Sequence, residues 1–417
     1  MKGIRIGICM LLTFAVASHG VVEPWSETAF EVGAALLFLA WGLLFAVGSG
    51  ADLRWNWMLA PVAGLLAFAV LQYLTRTTAV GFLTRIEIMK LSALLILMFL
   101  SVQVYETQEH WRGFVWFLLV LGFVVSVQGI LQHFTFNGKL YWFRELRYGG
   151  IPFGPYVNRN HFAGLVELIV PSGLSVLLLR SEERDRMPLL TLLTLLPIGA
   201  LFLSASRGGI AGFFLEVGLV VIFGTLWGRG RNQLAAGAVV LVLAIGLVAW
   251  LGVGQALDRF ASYRKLEVTE NSRIDMAKGS LWIFRDHPLL GTGLGTLQEV
   301  FPRYETLYNG TVVNHSHNDY AEGLAETGLV GGICGLAFLG LFFQEGLKRL
   351  KAGRGPVDLA LHVGAFAACC ALLVHSLVDF NLHIPSNALL FLLLAVLATS
   401  PTPSAGPFLS GTLRKHS

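Results

Sequence analysis

The chain has 417 residues, 55% of them hydrophobic and only 13% charged, with a formal net charge of +4. Soluble globular domains are nearer a quarter charged. A mean hydropathy of +0.66, with many apolar runs near the ~20 residues that cross a bilayer as helix, excludes that class. Strand-like alternation is absent, which removes a β-barrel. All four cysteines, Cys9, Cys334, Cys369 and Cys370, fall in apolar runs, which excludes a zinc ribbon and argues against a disulfide framework; they read as small buried hydrophobes.

Met1 to about Ser18 joins Lys2 and Arg5 to an apolar run ending in Ala15-Val16-Ala17. Cleaved signal peptides share that pattern, but many spans follow, so it is read as an uncleaved first helix. About twelve spans are expected: 4–20, 29–48, 56–74, 88–105, 113–132, 161–179, 188–203, 209–227, 233–252, 323–343, 358–378 and 386–400. The expected fold class is therefore all-α, a polytopic transmembrane helix bundle with one long extracytoplasmic loop containing short helices. Residues 1–132 form an N-terminal region of five spans, 133–400 the main region including the loop 253–322, and 401–417 a cytoplasmic tail.

Lys and Arg in short loops set orientation, because cytoplasmic loops carry the excess. With the N-terminus inside, inner segments hold fifteen Lys and Arg, from Lys2 and Arg5 to Arg414 and Lys415, against eight in the short outer segments, including Arg76, Arg144, Arg159 and Arg207; the seven of the long loop 253–322 are left out, since long loops follow the rule poorly. Both termini are expected in the cytoplasm and the long loop outside. The outer segment 133–160 carries Tyr141, Trp142, Phe143, Tyr148 and Tyr156 among glycines and prolines. Its rings suit the membrane interface; stacking on sugars is the other use open to them.

In the long loop, Asn271-Ser272-Arg273 introduces a helix that Asp286-His287-Pro288 ends, since the residue before proline disfavours helix. Leu290-Gly291-Thr292-Gly293-Leu294-Gly295 follows. Without a preceding strand it is a turn of small residues rather than a nucleotide motif. The densest cluster of titratable side chains comes next: Asn314-His315-Ser316-His317-Asn318-Asp319-Tyr320-Ala321-Glu322, running into Glu326, Gly328 and Gly331. Asn318, Glu322 and Glu326 are spaced by four and share a helix face, from which a carboxylate could orient an imidazole or bind sugar hydroxyls. Gly328, Gly331, Gly332 and Gly335 suggest close helix packing. His315, His317 and Asp319 invite a metal hypothesis, set aside because the histidines do not repeat at four. No metal and no cofactor is expected.

His317-Asn318, nine residues, then Gly328-x-x-Gly331 resembles the signature of the O-antigen ligase family, whose polymerase relatives are Wzy-like. The resemblance covers roughly 150–390. It implies a helical membrane glycosyltransferase of the GT-C class that moves a glycan from a polyprenyl diphosphate carrier to an acceptor outside the bacterial cytoplasmic membrane. Outside the cytoplasm there is no supply of nucleotide sugars, so the donor must arrive activated, and its diphosphate must be gripped while the acceptor hydroxyl loses a proton. Arginine grips phosphate in a planar fork. Arg207, in Ser204-Ala205-Ser206-Arg207-Gly208-Gly209, resembles a family motif whose arginine contacts the donor. Arg273 resembles the second functional arginine, with Arg259, Arg264 and Arg285 as nearby rivals.

His317 is the candidate base, since a histidine titrates near pH ~6.5 and offers a neutral imidazole. Asn160, Asn318, Glu322, His375 and Asp379 are candidates for supporting the site or binding acceptor; His375 and Asp379 are four apart, so one helical turn could pair them. The acceptor is lipid A-core, a protein, or another lipid-linked glycan, the last making the protein a repeat-unit polymerase; membrane lipids are the remaining partners, and nucleic acid is not one. Glu31, Glu167 and Glu216 lie within spans, where carboxylates are functional candidates by default. They motivate the rival class of ion-coupled transporter or flippase, against which the polar clusters gather at one side rather than at the midplane.

Overall fold

The computed structural model describes residues 1–48, 52–146, 151–179, 184–227, 246, 270–306, 312–353 and 355–403. The ninth expected span, 233–252, lies outside the described residues apart from Gly246. So do 253–269 of the long loop, with Arg259 and Arg264, and Arg147, Tyr148 and most of the 401–417 tail.

The other eleven expected spans are helices. They are α1 Lys2–Ala17, α2 Pro24–Ala46, α3 Leu59–Leu74, α4 Gly81–Val104, α5 Gln108–Phe134, α6 Arg159–Leu178, α7 Met187–Ser204 and α8 Arg207–Trp227. After the long loop's α9 Glu270–Asp286 and α10 Leu297–Val300 come α11 Asp319–Ala352, α12 Pro356–His375 and α13 Pro385–Thr399. Among the described residues eight helices are long and apolar enough to cross a membrane. The strands there amount to one antiparallel pair, β1 Lys139–Leu140 with β2 Arg144–Glu145. The fold is an all-α membrane bundle, as hydropathy implies.

Local signals place the helix starts. Thr107, Asn158 and Asn318 cap α5, α6 and α11 by accepting backbone N–H bonds, satisfying donors that lack intrahelical partners. Proline stands in the first turn of α2, α12 and α13, where its missing N–H costs nothing.

At the centre, α6 and α12 are almost wholly buried, and α12 packs on α6 and α8. Lipid tails are as apolar as the side chains, so such contacts gain from close packing and interhelical hydrogen bonds rather than escape from water. At Gly364 of α12 a Cβ would come 2.7 Å from Ser172 Cα, and Ser175 Oγ donates to Ala360 O at 2.7 Å. α1–α5 flank this pair: α4 packs on α2 and α3, and α13 packs on α4, α6 and α12.

Long-range bonds separate the two ends of the bundle. At one end Arg5 reaches Val104 O, and Asn56 donates to Thr399 and Ser400. At the other, His19 meets Pro155 O, Gln72 donates to Leu290 O and Glu326 O, and Tyr156 meets Ser386 and Asn387. The chemistry-bearing residues collect at this second end.

The spaced glycines of the motif do more there than pack helices. Gly328 interrupts α11 with φ +60° and ψ −156°, a conformation essentially reserved for glycine. The break opens backbone groups that the 288–293 turn fills: Leu329 N donates to Pro288 O at 2.8 Å, and Thr292 N and Gly293 N donate to Ala325 O and Glu326 O. Gly291 and Gly293 have φ +69° and +110°, so the glycine-rich run is the turn of small residues expected. At Gly335, by contrast, a Cβ would meet nothing within 4 Å. Gly328→Ala is therefore expected to lower stability in detergent by more than the ~1–3 kcal/mol of the backbone conformation alone, read as a fall in thermal unfolding temperature, because its Cβ would lie 2.5 Å from Leu289 C and O; Gly335→Ala should leave it unchanged.

Candidate active site

The 376–384 turn, between α12 and α13, is the floor of the site. Asp379 is wholly buried in it. Its Oδ2 accepts from Asn160 Nδ2 at 2.6 Å and lies 3.5 Å from Arg273 Nη1. Its Oδ1 accepts from Phe380 N at 2.9 Å and faces His317 Nδ1 at 3.6 Å and His161 Nε2 at 3.7 Å, ion-pair distances just beyond a hydrogen bond. Burial alone would raise the Asp379 pKa, but His161 and His317 facing it outweigh that and hold the carboxyl well below its ordinary range.

Four elements meet at this carboxylate. Asn160 and His161 come from the first turn of α6, and Arg273 from α9, which lies against α11. Arg273 also donates to Val378 O at 2.6 Å. His317 stands just ahead of α11 with φ +52°, a left-handed conformation uncommon outside glycine. Asn318 explains how it is held there. Its Oδ1 caps Tyr320 N and Ala321 N while its Nδ2 donates to Leu377 O at 2.9 Å, and Asp319 N donates to Ser376 O. The second letter of the His-Asn pair thus ties the start of α11 to the turn carrying Asp379.

Arg207 is the exposed first residue of α8. Its neighbour Gly208 lies against His375, where a Cβ would come 2.3 Å from Nε2. Arg207 therefore stands at the same end of the bundle as His317. The pairing of His375 with Asp379 that their spacing suggests does not form: His375 Nδ1 turns inward to Glu167 at 3.0 Å, because α6 packs along α12 and brings Glu167 opposite. Glu326 likewise leaves the shared face; its two oxygens accept from Gly295 N and Leu297 N at 2.9 Å and hold the glycine turn.

Glu322 does orient an imidazole, but that of His315, whose Nδ1 lies 2.7 Å from Oε1. His383 Nε2 approaches the same oxygen at 3.4 Å. Ligand atoms of His315, Glu322 and His383 all lie within 4.8 Å of one another, a set different from the His315, His317 and Asp319 of the motif reading. These atoms face one another and a fourth group, Asp319, whose Oδ1 is 2.6 Å from His383 Nδ1.

The structure brings in three further residues that the sequence placed only within the polar runs 158–161 and 375–385 at the outer helix ends. His161 follows Asn160. His383 lies in the polar run after α12. Phe380 is ringed by His161, His315 and His317 at centroid distances of 4.7, 4.3 and 4.9 Å. Only the crowding of polar residues in 375–383 signalled the last two. Of the aromatics of 133–160, Tyr141 and Phe143 lie elsewhere on this end: with Phe14, His19, Trp25 and Arg144 they line an open cavity of about 470 Å³, and Arg144 pairs with Glu23.

No curated protein matches the chain. A family model described as O-Antigen ligase, Wzy_C, matches residues 192–336, which enclose Arg207, Arg273 and His317 but neither Asn160 nor Asp379. Over residues 192–336 the chain is similar to the O-antigen ligase family, the likeness that its His317-Asn318 motif implies.

Proposed function

We propose that the protein is an O-antigen ligase-like membrane glycosyltransferase, moving a glycan from a polyprenyl (undecaprenyl) diphosphate carrier to an acceptor hydroxyl on the outer face of the bacterial cytoplasmic membrane. The observation that carries this is the convergence of Arg273, His317 and Asn160 on one buried carboxylate, Asp379, with Arg207 opening α8 at the same end of the bundle. Both termini then lie in the cytoplasm.

In the reaction, the acceptor oxygen attacks the anomeric carbon as the bond from that carbon to the diphosphate oxygen breaks. The polyprenyl diphosphate leaves, and the hydroxyl proton passes to the His317 imidazole. Attack opposite the leaving group inverts the anomeric configuration. Arg207 and Arg273 hold the diphosphate and stabilise the charge that builds on it. The guanidinium is always protonated and forks onto phosphate, so this chemistry calls on no nucleotide and no metal. Asp379 fixes Arg273 and faces the ring of His317, as an acidic partner sets an imidazole in other sites.

The test is purified protein in lipid nanodiscs with a polyprenyl diphosphate glycan and either lipid A-core or a second lipid-linked glycan, without nucleotide or added metal. Product on lipid A-core identifies a ligase and product on the lipid-linked glycan a Wzy-like polymerase; none with either acceptor refutes the reading. In the same assay Arg207→Ala and Arg273→Ala are each expected to lose about 10²-fold or more in kcat/KM. Arg273→Lys should recover little, since lysine binds phosphate as a point charge without the fork.

A further inference from the structure

One charged group near the site is unused by that mechanism. His383 lies in the short 3₁₀ helix Asn381–His383, wedged between two carboxylates of α11's first turn. Its Nδ1 is 2.6 Å from Asp319 Oδ1 and its Nε2 3.4 Å from Glu322 Oε1. The outer oxygens are occupied as well: Asp319 Oδ2 accepts from Leu382 N at 3.1 Å, and Glu322 Oε2 from Ser316 N at 2.8 Å. Glu322 Oε1 also meets His315 Nδ1. A chain of alternating acid and imidazole, Asp319, His383, Glu322, His315, therefore fastens the 312–318 segment bearing His317 to the turn bearing Asp379.

The charges make His383 more than a strut. Asp319 and Glu322 are both buried and lie one helical turn apart; His315, bonded to Glu322, stacks on Phe380, next to the Asp379 that Arg273 faces. Two buried carboxylates without a cation repel each other and any diphosphate brought near.

We infer that His383 is a positioning residue for transfer: its imidazolium bridges Asp319 and Glu322, holding the His317 segment in place and cancelling negative charge where an anionic diphosphate must bind. The inference rests on the glycan-transfer reading. The geometry calls for the charged ring: both His383 nitrogens face carboxylate oxygens, and only the imidazolium donates from both.

His383→Gln removes the charge and keeps one donor; His383→Lys keeps the charge. In the full-length protein, His383→Gln is expected to lower kcat/KM at least about tenfold, chiefly through donor KM, and to speed hydrogen–deuterium exchange across 312–318. His383→Lys should recover most of that loss. The double variant Asp319→Asn/His383→Gln, one carboxylate poorer, should also transfer better than His383→Gln alone.

Wild-type activity in His383→Gln, or an equal loss in Lys and Gln variants, overturns the inference. So does stoichiometric zinc in the wild type that disappears in His383→Gln. If His383→Gln does not fold, the double variant decides, and a double variant that is unfolded or inert refutes the charge argument. A wild type that makes no product refutes the transfer reading instead, while exchange across 312–318 still reports whether His383 fastens that segment.

Discussion

His317→Ala is expected to cut kcat for glycan transfer by about 10²–10⁴-fold, the usual worth of a positioned base, with donor KM little changed. The side chain is only 12% exposed, and what holds the segment is not the imidazole. Asn318 caps α11 and bonds Leu377 O, Asp319 N bonds Ser376 O, and Ser316 N bonds Glu322. All of these survive the substitution. The loss should therefore fall on the chemical step, the pattern of an interaction made only in the transition state. Single-turnover kinetics on protein that elutes as a folded, monodisperse species separate this from misfolding. A variant with wild-type kcat would remove His317 from the mechanism.

Asp379→Asn should damage both stability and turnover. The carboxylate is fully buried and faces Arg273, His161 and His317 while accepting from Asn160 and Phe380 N. Asparagine keeps the shape but removes the charge. Breaking a buried pair on one side typically costs ~3–5 kcal/mol, because the remaining charge is left uncompensated. A clear fall in thermal unfolding temperature at neutral pH is expected, with transfer lowered because Arg273 and His317 lose their common anchor.

The pH dependence gives a second check. The folded Asp379 pKa sits well below its ordinary value, so its contribution is complete above the unfolded value of ~3.9 and drains away as pH falls towards the folded one. Wild-type protein should lose stability on that acid limb. Asp379→Asn should begin lower and show a shallower decline. An Asn variant as stable and active as wild type at neutral pH would make Asp379 a bystander.

Much of the bundle was legible before any coordinates, because crossing a bilayer requires long apolar helices and each announces itself locally. The helix starts were less so: the spans expected from 88 and 113 begin as helices at Gly81 and Gln108, because first turns that carry polar residues dilute the hydropathy signal. The His-Asn pair lies where the structure gathers ionisable groups around Asp379. The physical roles of the motif residues were harder to see. Gly328 reads like a packing residue, yet it breaks α11 so that the 288–293 turn can bond into the gap. Asn318 was open to supporting the site or binding acceptor; every bond its side chain makes holds backbone in place.

Partner choice among the ionisable groups was not legible at all. Spacing pointed His375 to Asp379, but α6 supplies Glu167 to His375 from 208 residues away, and Asp379 bonds Asn160 across 219. Glu322 and Glu326, alike in sequence, go to an imidazole pair and to a glycine turn. The sequence by itself determined a helical membrane protein with a His-Asn motif, because hydropathy and motifs depend on near neighbours. Only the tertiary structure decided which carboxylate serves which imidazole or guanidinium, because those pairs form where helices distant in the chain cross, and helix packing sets where they cross.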